Sequence, residues 1–94
     1  MATAKFYMIY VDLNKESDSD KLEEVMNLSL DWYRVNDQLW IVYTTSDKDK
    51  WQSRLSPIVK PDGYMFICKL DTSDRQGWMK KGFWSWLRRE NKDT

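Results

Sequence analysis

Apolar residues fall along this chain in short blocks, and the spacing inside each block names an element. Phe6-Tyr7-Met8-Ile9-Tyr10-Val11 is an unbroken apolar run closed by Asp12. Without alternation it reads as a strand buried on both faces, hence a central strand of a sheet. A polar connection over Leu13–Ser19 leads to Asp20, placed as a helix N-cap with Glu23 three residues on. Leu22, Val25, Met26 and Ser29 then repeat at helical spacing over residues 20–30. Asp31 to Val35 alternates as a strand, with Trp32 and Arg34 on one side and Tyr33 and Val35 on the other. Asn36-Asp37 is turn chemistry, and Gln38 to Thr44 is a second apolar, β-branched run. The pair predicts a hairpin with its first member at a sheet edge and its second in the middle.

Thr45-Ser46 is placed as the next N-cap, with Asp47 and Asp49 favourable to the positive end of the helix dipole. Trp51, Leu55 and Ile58 form its apolar stripe, and Pro57 is expected to end or kink the helix near Ser56. Lys60-Pro61-Asp62-Gly63 is a turn, and Tyr64 to Leu70 the last strand. The order is β-α-β-β-α-β. Short connections and right-handed crossovers fold that order into an α+β, ferredoxin-like sandwich: a four-stranded antiparallel sheet with both helices on one face. Gly77 to Asn91 adds a C-terminal helical extension, about residues 78–91, to this single domain of residues 1–94. Lys92-Asp93-Thr94 reads as loose tail.

Composition narrows the function. Fifteen basic and fifteen acidic residues cancel, so global charge argues for neither nucleic acid nor an anionic membrane. Residues 1–47 carry four Lys/Arg against nine Asp/Glu, and residues 48–94 eleven against six. The absence of histidine removes the usual residue of triads and most zinc sites. Cys68 is the single cysteine, which excludes an internal disulfide and fits a reducing compartment; within an apolar strand it is expected to be a small core residue. With no targeting segment or membrane-length apolar run, a soluble cytoplasmic protein is expected. The glycines Gly63, Gly77 and Gly82 are isolated, so no phosphate loop forms. Arg34 is expected to pair with a neighbouring acid.

Two stretches carry candidate chemistry. Asp12 ends the first strand, where open α/β sheets tend to hold ligands. In the tail, Lys80, Lys81, Arg88 and Arg89 can contact phosphates while the aromatics among them stack on bases; equally, Phe83, Trp86 and Leu87 can turn inward to dock the helix on the sheet. Docking has a motive, because helices on one face leave the other bare. The tail helix and a second subunit are both expected to cover it, which predicts a homodimer.

Taken together, MIYVDLNK, the D-W-Y segment followed by LWIVYTT, the helix opening at Ser46 with Trp51, Leu55 and Ile58, and the tail GWMKKGFWSWL resemble the SinR-like group of short bacterial proteins over about residues 6–88. The group is distantly similar to the small CRISPR-associated adaptation nucleases and their virulence-associated toxin relatives. That wider resemblance implies a homodimer acting on nucleic acid, with a metal-associated aspartate that corresponds to Asp12 and would share Mg²⁺. This chain departs from it: the segment after Asp12 lacks the arginine pair and offers Asp18, Asp20, Glu23 and Glu24, which repel phosphate. The leading expectation is therefore a small, dimeric, non-catalytic binding protein in a nucleic-acid-related, mobile-element or defence context, with no small-molecule cofactor and no membrane. The alternatives are a Mg²⁺-dependent nuclease using Asp12, and an inhibitor or antitoxin that binds a partner protein.

Overall fold

The structure, a computed structural model, describes residues 3–13 and 19–90 and, of residues 19, 89 and 90, the backbone alone. The connection over residues 14–18, including Asp18, and the tail from Asn91 onward lie outside the described residues. The elements are β1 (Lys5–Asp12), α1 (Ser19–Met26), β2 (Asp31–Arg34), β3 (Leu39–Thr44), α2 (Lys48–Val59), β4 (Tyr64–Leu70) and α3 (Lys81–Glu90). The strands form one antiparallel sheet in the order β2-β3-β1-β4. The apolar runs of β1 and β3 are its inner strands and the short alternating β2 is an edge, as their patterns predict, whereas the equally unalternating β4 is the other edge.

Register sorts the side chains onto two faces. Ile9 lies opposite Trp40 on one side and Ile67 on the other, and Tyr7 opposite Val42. With Val11 they make the floor on which α1 sets Leu22 and Met26 and α2 sets Trp51, Leu55 and Val59. Trp32 completes this layer edge-on to Trp40, at 4.8 Å between centroids and 61°. The guanidinium of Arg34 lies 4.6 Å over the Trp40 ring and donates to the carbonyls of Asn36 and Asp37. Its bonds therefore brace the β2–β3 turn rather than pair an acid. Asn36 closes that turn by accepting from the backbone N–H groups of Gln38 and Leu39.

The opposite face is built from Phe6, Met8, Tyr10 and Asp12 of β1 with their partners. Here α3 docks Phe83, Trp86 and Leu87 against Phe6 and Ile41, flanked by Tyr33, Val35, Tyr43 and Leu70. Trp86 meets Phe6 edge-on at 6.0 Å and Tyr33 at 5.7 Å. The tail helix thus covers β2, β3 and the Phe6–Leu70 end of the β1–β4 pair, and leaves the rest of those two strands open. β1 is consequently not buried on both faces throughout: Tyr7, Ile9 and Val11 are buried, whereas Met8 and Tyr10 are only half-buried.

Several local expectations need correction. α1 begins at Ser19, so Asp20 lies inside the first turn rather than at the cap, and residues 27–30 leave the helix as a turn. The cap of α2 is Asp47, whose carboxylate accepts from the Lys50 N–H at 2.9 Å, while the Ser46 N–H donates to the Thr44 hydroxyl. Pro57 lies within α2, which runs on to Val59. It falls in the last turn, where little helix remains to be broken. Val59 rather than Ile58 completes the buried stripe, because the i, i+4, i+8 row faces the sheet. α3 begins at Lys81 instead of about residue 78, and residues 75–80 approach it as irregular chain. Among the described residues, no helix is long and apolar enough to cross a membrane.

Candidate functional site

Asp12 ends β1 opposite Tyr64, the first residue of β4, and by strand alternation belongs to the α3-side face. It is half-buried and has an interaction partner in the structure. Gly63 packs hard against this junction. Its N–H donates to the Val59 carbonyl at 2.8 Å, and a Cβ there would lie 2.5 Å from the Asp12 carbonyl oxygen and 2.7 Å from that of Val59. Glycine is therefore required by close approach of three backbone segments. Among the described residues, no three acids or cysteines gather as a metal-binding group.

The tail residues do come together. The Lys80 carbonyl accepts from the N–H groups of Phe83 and Trp84, opening α3. At 100° per residue, Lys80, Trp84, Arg88 and Lys81 fall within about 100° of arc on the helix, while Phe83, Trp86 and Leu87 fill the arc turned to the sheet. Lys80, Lys81 and Arg88 are all exposed; the Arg89 side chain lies outside the described residues. Trp84 is half-buried, edge-on to Phe83 at 5.3 Å, in the middle of the cationic arc. Just before the helix, Trp78 is 99 % exposed. The signal for this surface is present in the sequence: residues 75–88 contain Arg75, Lys80, Lys81 and Arg88, three tryptophans, and not one acid.

A second surface is what α3 leaves uncovered. Tyr64 is 69 % and Phe66 58 % exposed, and Cys68 is exposed as well. Tyr10 lies opposite Phe66 and Met8 opposite Cys68, so the five side chains form one apolar strip across β1 and β4. Cys68 is thus a surface thiol and not a core residue. It points to the α3 side of β4, two residues before Leu70, the one residue of that strand packed against the α3 cluster. Along the outer edge of β4 no strand pairs, among the described residues.

Two recesses flank these surfaces. An apolar groove of about 400 Å³ opens between α3 and the chain before it, over Val35, Leu39, Ile41, Met79 and Leu87. A more polar recess of about 590 Å³ lies among Lys5, Tyr43, Lys69 and Asp71 to Ser73. There the Ser73 hydroxyl, then its backbone N–H, donates to Asp71 and holds that carboxyl below its ordinary value. Compared with known proteins, the chain matches no family model, no curated protein and no solved structure.

Proposed function

We propose that the chain is a small binding protein, without catalysis of its own, that works as a pair of identical subunits in a nucleic-acid-related, mobile-element or defence setting. The observation that carries the pairing is the open strip of Met8, Tyr10, Tyr64, Phe66 and Cys68 beside the unpaired edge of β4. Exposed apolar side chains and unpaired backbone groups are each costly or adhesive, and here they adjoin. A second copy offers the same combination, so a two-fold pairing satisfies both at once. The reading extends to the fold. Taken from its other edge the strand order is 4-1-3-2, and two crossovers whose helices share one face support a ferredoxin-like sandwich. A reducing, cytoplasmic setting suits a protein with one exposed thiol.

The test is sedimentation of the full chain over a range of concentrations, beside Phe66→Glu. A dimer that Phe66→Glu converts to a folded monomer is the expected result. A wild-type chain that stays monomeric at high micromolar concentration would refute the pairing.

A second reading, a Mg²⁺-dependent nuclease, draws on the position of Asp12. It belongs to the same face as the strip, so pairing there would bring two carboxylates toward one interface, and carboxylate oxygens suit Mg²⁺. Labelled RNA and DNA incubated with and without Mg²⁺ or Mn²⁺ decide it. Metal-dependent cleavage that disappears in Asp12→Asn would replace the non-catalytic reading.

A further inference from the structure

Trp78 has no structural explanation inside the chain. Its ring is 99 % exposed, although an indole is among the side chains that gain most from burial. Residues 75–80 hold it out beside the start of α3, while the next residue, Met79, turns in to pack on the core. One turn into α3, Trp84 keeps part of its ring in solvent between Lys80, Lys81 and Arg88. Lys81 and Arg88 are seven residues apart, about 10 Å along the helix axis, and share one side of it. Through residues 75–88 no carboxylate interrupts the positive charge. Two accessible rings and three cations therefore lie along one short strip, separate from the β1–β4 surface.

We infer that this strip binds single-stranded nucleic acid, bases stacking on Trp78 and Trp84 while Lys80, Lys81 and Arg88 take the phosphates. The inference rests on the reading of the chain as a binding protein and names its ligand and the surface used. Flat exposed rings favour unpaired bases, since a duplex hides its base faces within its own stack. Cations on lysine and arginine stems reach the backbone without reading sequence, so affinity depends on salt far more than on base identity. The acids Asp20, Glu23 and Glu24 belong to α1, which packs on the other face of the sheet, whereas Asp71 and Asp74 line the groove that Trp78 and Trp84 share and bound the cationic strip on that side.

Fluorescence anisotropy of the full chain with labelled oligo(dT) and oligo(U) 12-mers, and with a matched duplex, tests the inference between 50 and 200 mM NaCl. Both single strands are expected to bind in preference to duplex. Three phosphate contacts predict a slope of about −2 in log affinity against log salt, and Lys81→Ala should make it shallower by about 0.7. Trp78→Ala should weaken binding about 10-fold, the loss of one stacked base. Its circular dichroism and unfolding midpoint should not change, because the ring packs on nothing. Phe66→Glu should bind within about two-fold of wild type per subunit, since it leaves this strip untouched. Failure of the pairing and failure of this assignment are thereby distinguishable. No binding at 50 mM NaCl, equal or stronger binding of duplex, or full affinity in Trp78→Ala would each overturn the inference. Loss of binding in Phe66→Glu alone would do the same by moving the contact to the sheet.

Discussion

Removing the indole of Trp86 tests whether α3 is an integral part of the fold. Trp86 is 4 % exposed and wedged between Phe6 and Tyr33, with ring centroids 6.0 and 5.7 Å away. Truncating a buried tryptophan to alanine costs about 3–5 kcal/mol through lost transfer energy and the cavity left behind. That is a large share of the roughly 5–15 kcal/mol that stabilises a domain. The ring also carries a liability. Its Nε1–H is buried without a hydrogen-bond partner among the described residues, and a donor in that state forfeits about 1–3 kcal/mol. Trp86→Phe removes the donor together with part of the apolar surface. The two effects oppose each other, so its net cost should be about 1 kcal/mol or less. Urea unfolding followed by far-UV circular dichroism, at one fixed subunit concentration, measures both variants. A loss below about 1 kcal/mol in Trp86→Ala would mean that α3 is not held to the sheet. Equal losses in the two variants would mean that the indole N–H is satisfied and the phenyl ring cannot fill its place.

Three further outcomes follow from named contacts. Gly63→Ala should destabilise by about 2 kcal/mol or more, measured in the same urea assay, because the new methyl meets two backbone carbonyls that cannot yield without disturbing the β1–β4 pairing. Asp47, which accepts the Lys50 N–H, and Asp71, which accepts from Ser73, are both held below the ordinary aspartate value of 3.8. Their contribution is present above 3.8 and is lost as the pH falls through their lower folded values. The stability difference between wild type and Asp47→Asn should accordingly be constant near neutrality and shrink in acid. Cys68, on the open strip, should react fast with a thiol reagent when the chain is dilute and more slowly as subunits pair; a rate independent of concentration would count against pairing through that strip.

Much of the architecture is legible in the apolar runs. Phe6–Val11 and Leu39–Tyr43 lack alternation and are inner strands with packed side chains on both faces of the sheet, whereas the alternation of Trp32, Tyr33, Arg34 and Val35 falls on an edge. What local pattern does not carry is where a distant element lands. Cys68, Phe66 and Tyr64 read as core because Tyr64 to Cys68 is an unbroken apolar run; they are exposed because α3 covers β4 only at Leu70. The cap of α2 passes from Ser46 to Asp47 for a related reason: the hydroxyl of buried Thr44 takes the Ser46 N–H and holds that residue outside the helix. In the tail, helical spacing puts positions 80, 84 and 88 on one face, and the start of α3 at Lys81 brings Lys81 to the same side. The exposure of Trp78 is not readable in this way, since it depends on α3 starting at Lys81 rather than near residue 78.

The position of β1 in the sheet bears on how the chain reaches its folded state. Ile9 pairs with Trp40 and with Ile67, so β1, the earliest of the four strands in chain order, has both its neighbours far downstream. Its hairpin-forming relatives, β2 and β3, can meet at once across a four-residue turn. β1 has no local partner and stays an unpaired apolar ribbon until β3, and then β4, has been made. Pairings of such long sequence separation close slowly, because loop entropy is lost before contacts compensate. During that interval Phe-Tyr-Met-Ile-Tyr-Val is an adhesive segment in an incomplete chain. The acids that crowd the chain just after it, from Asp12 to Glu24, are the kind of charged flank that limits association of such apolar segments.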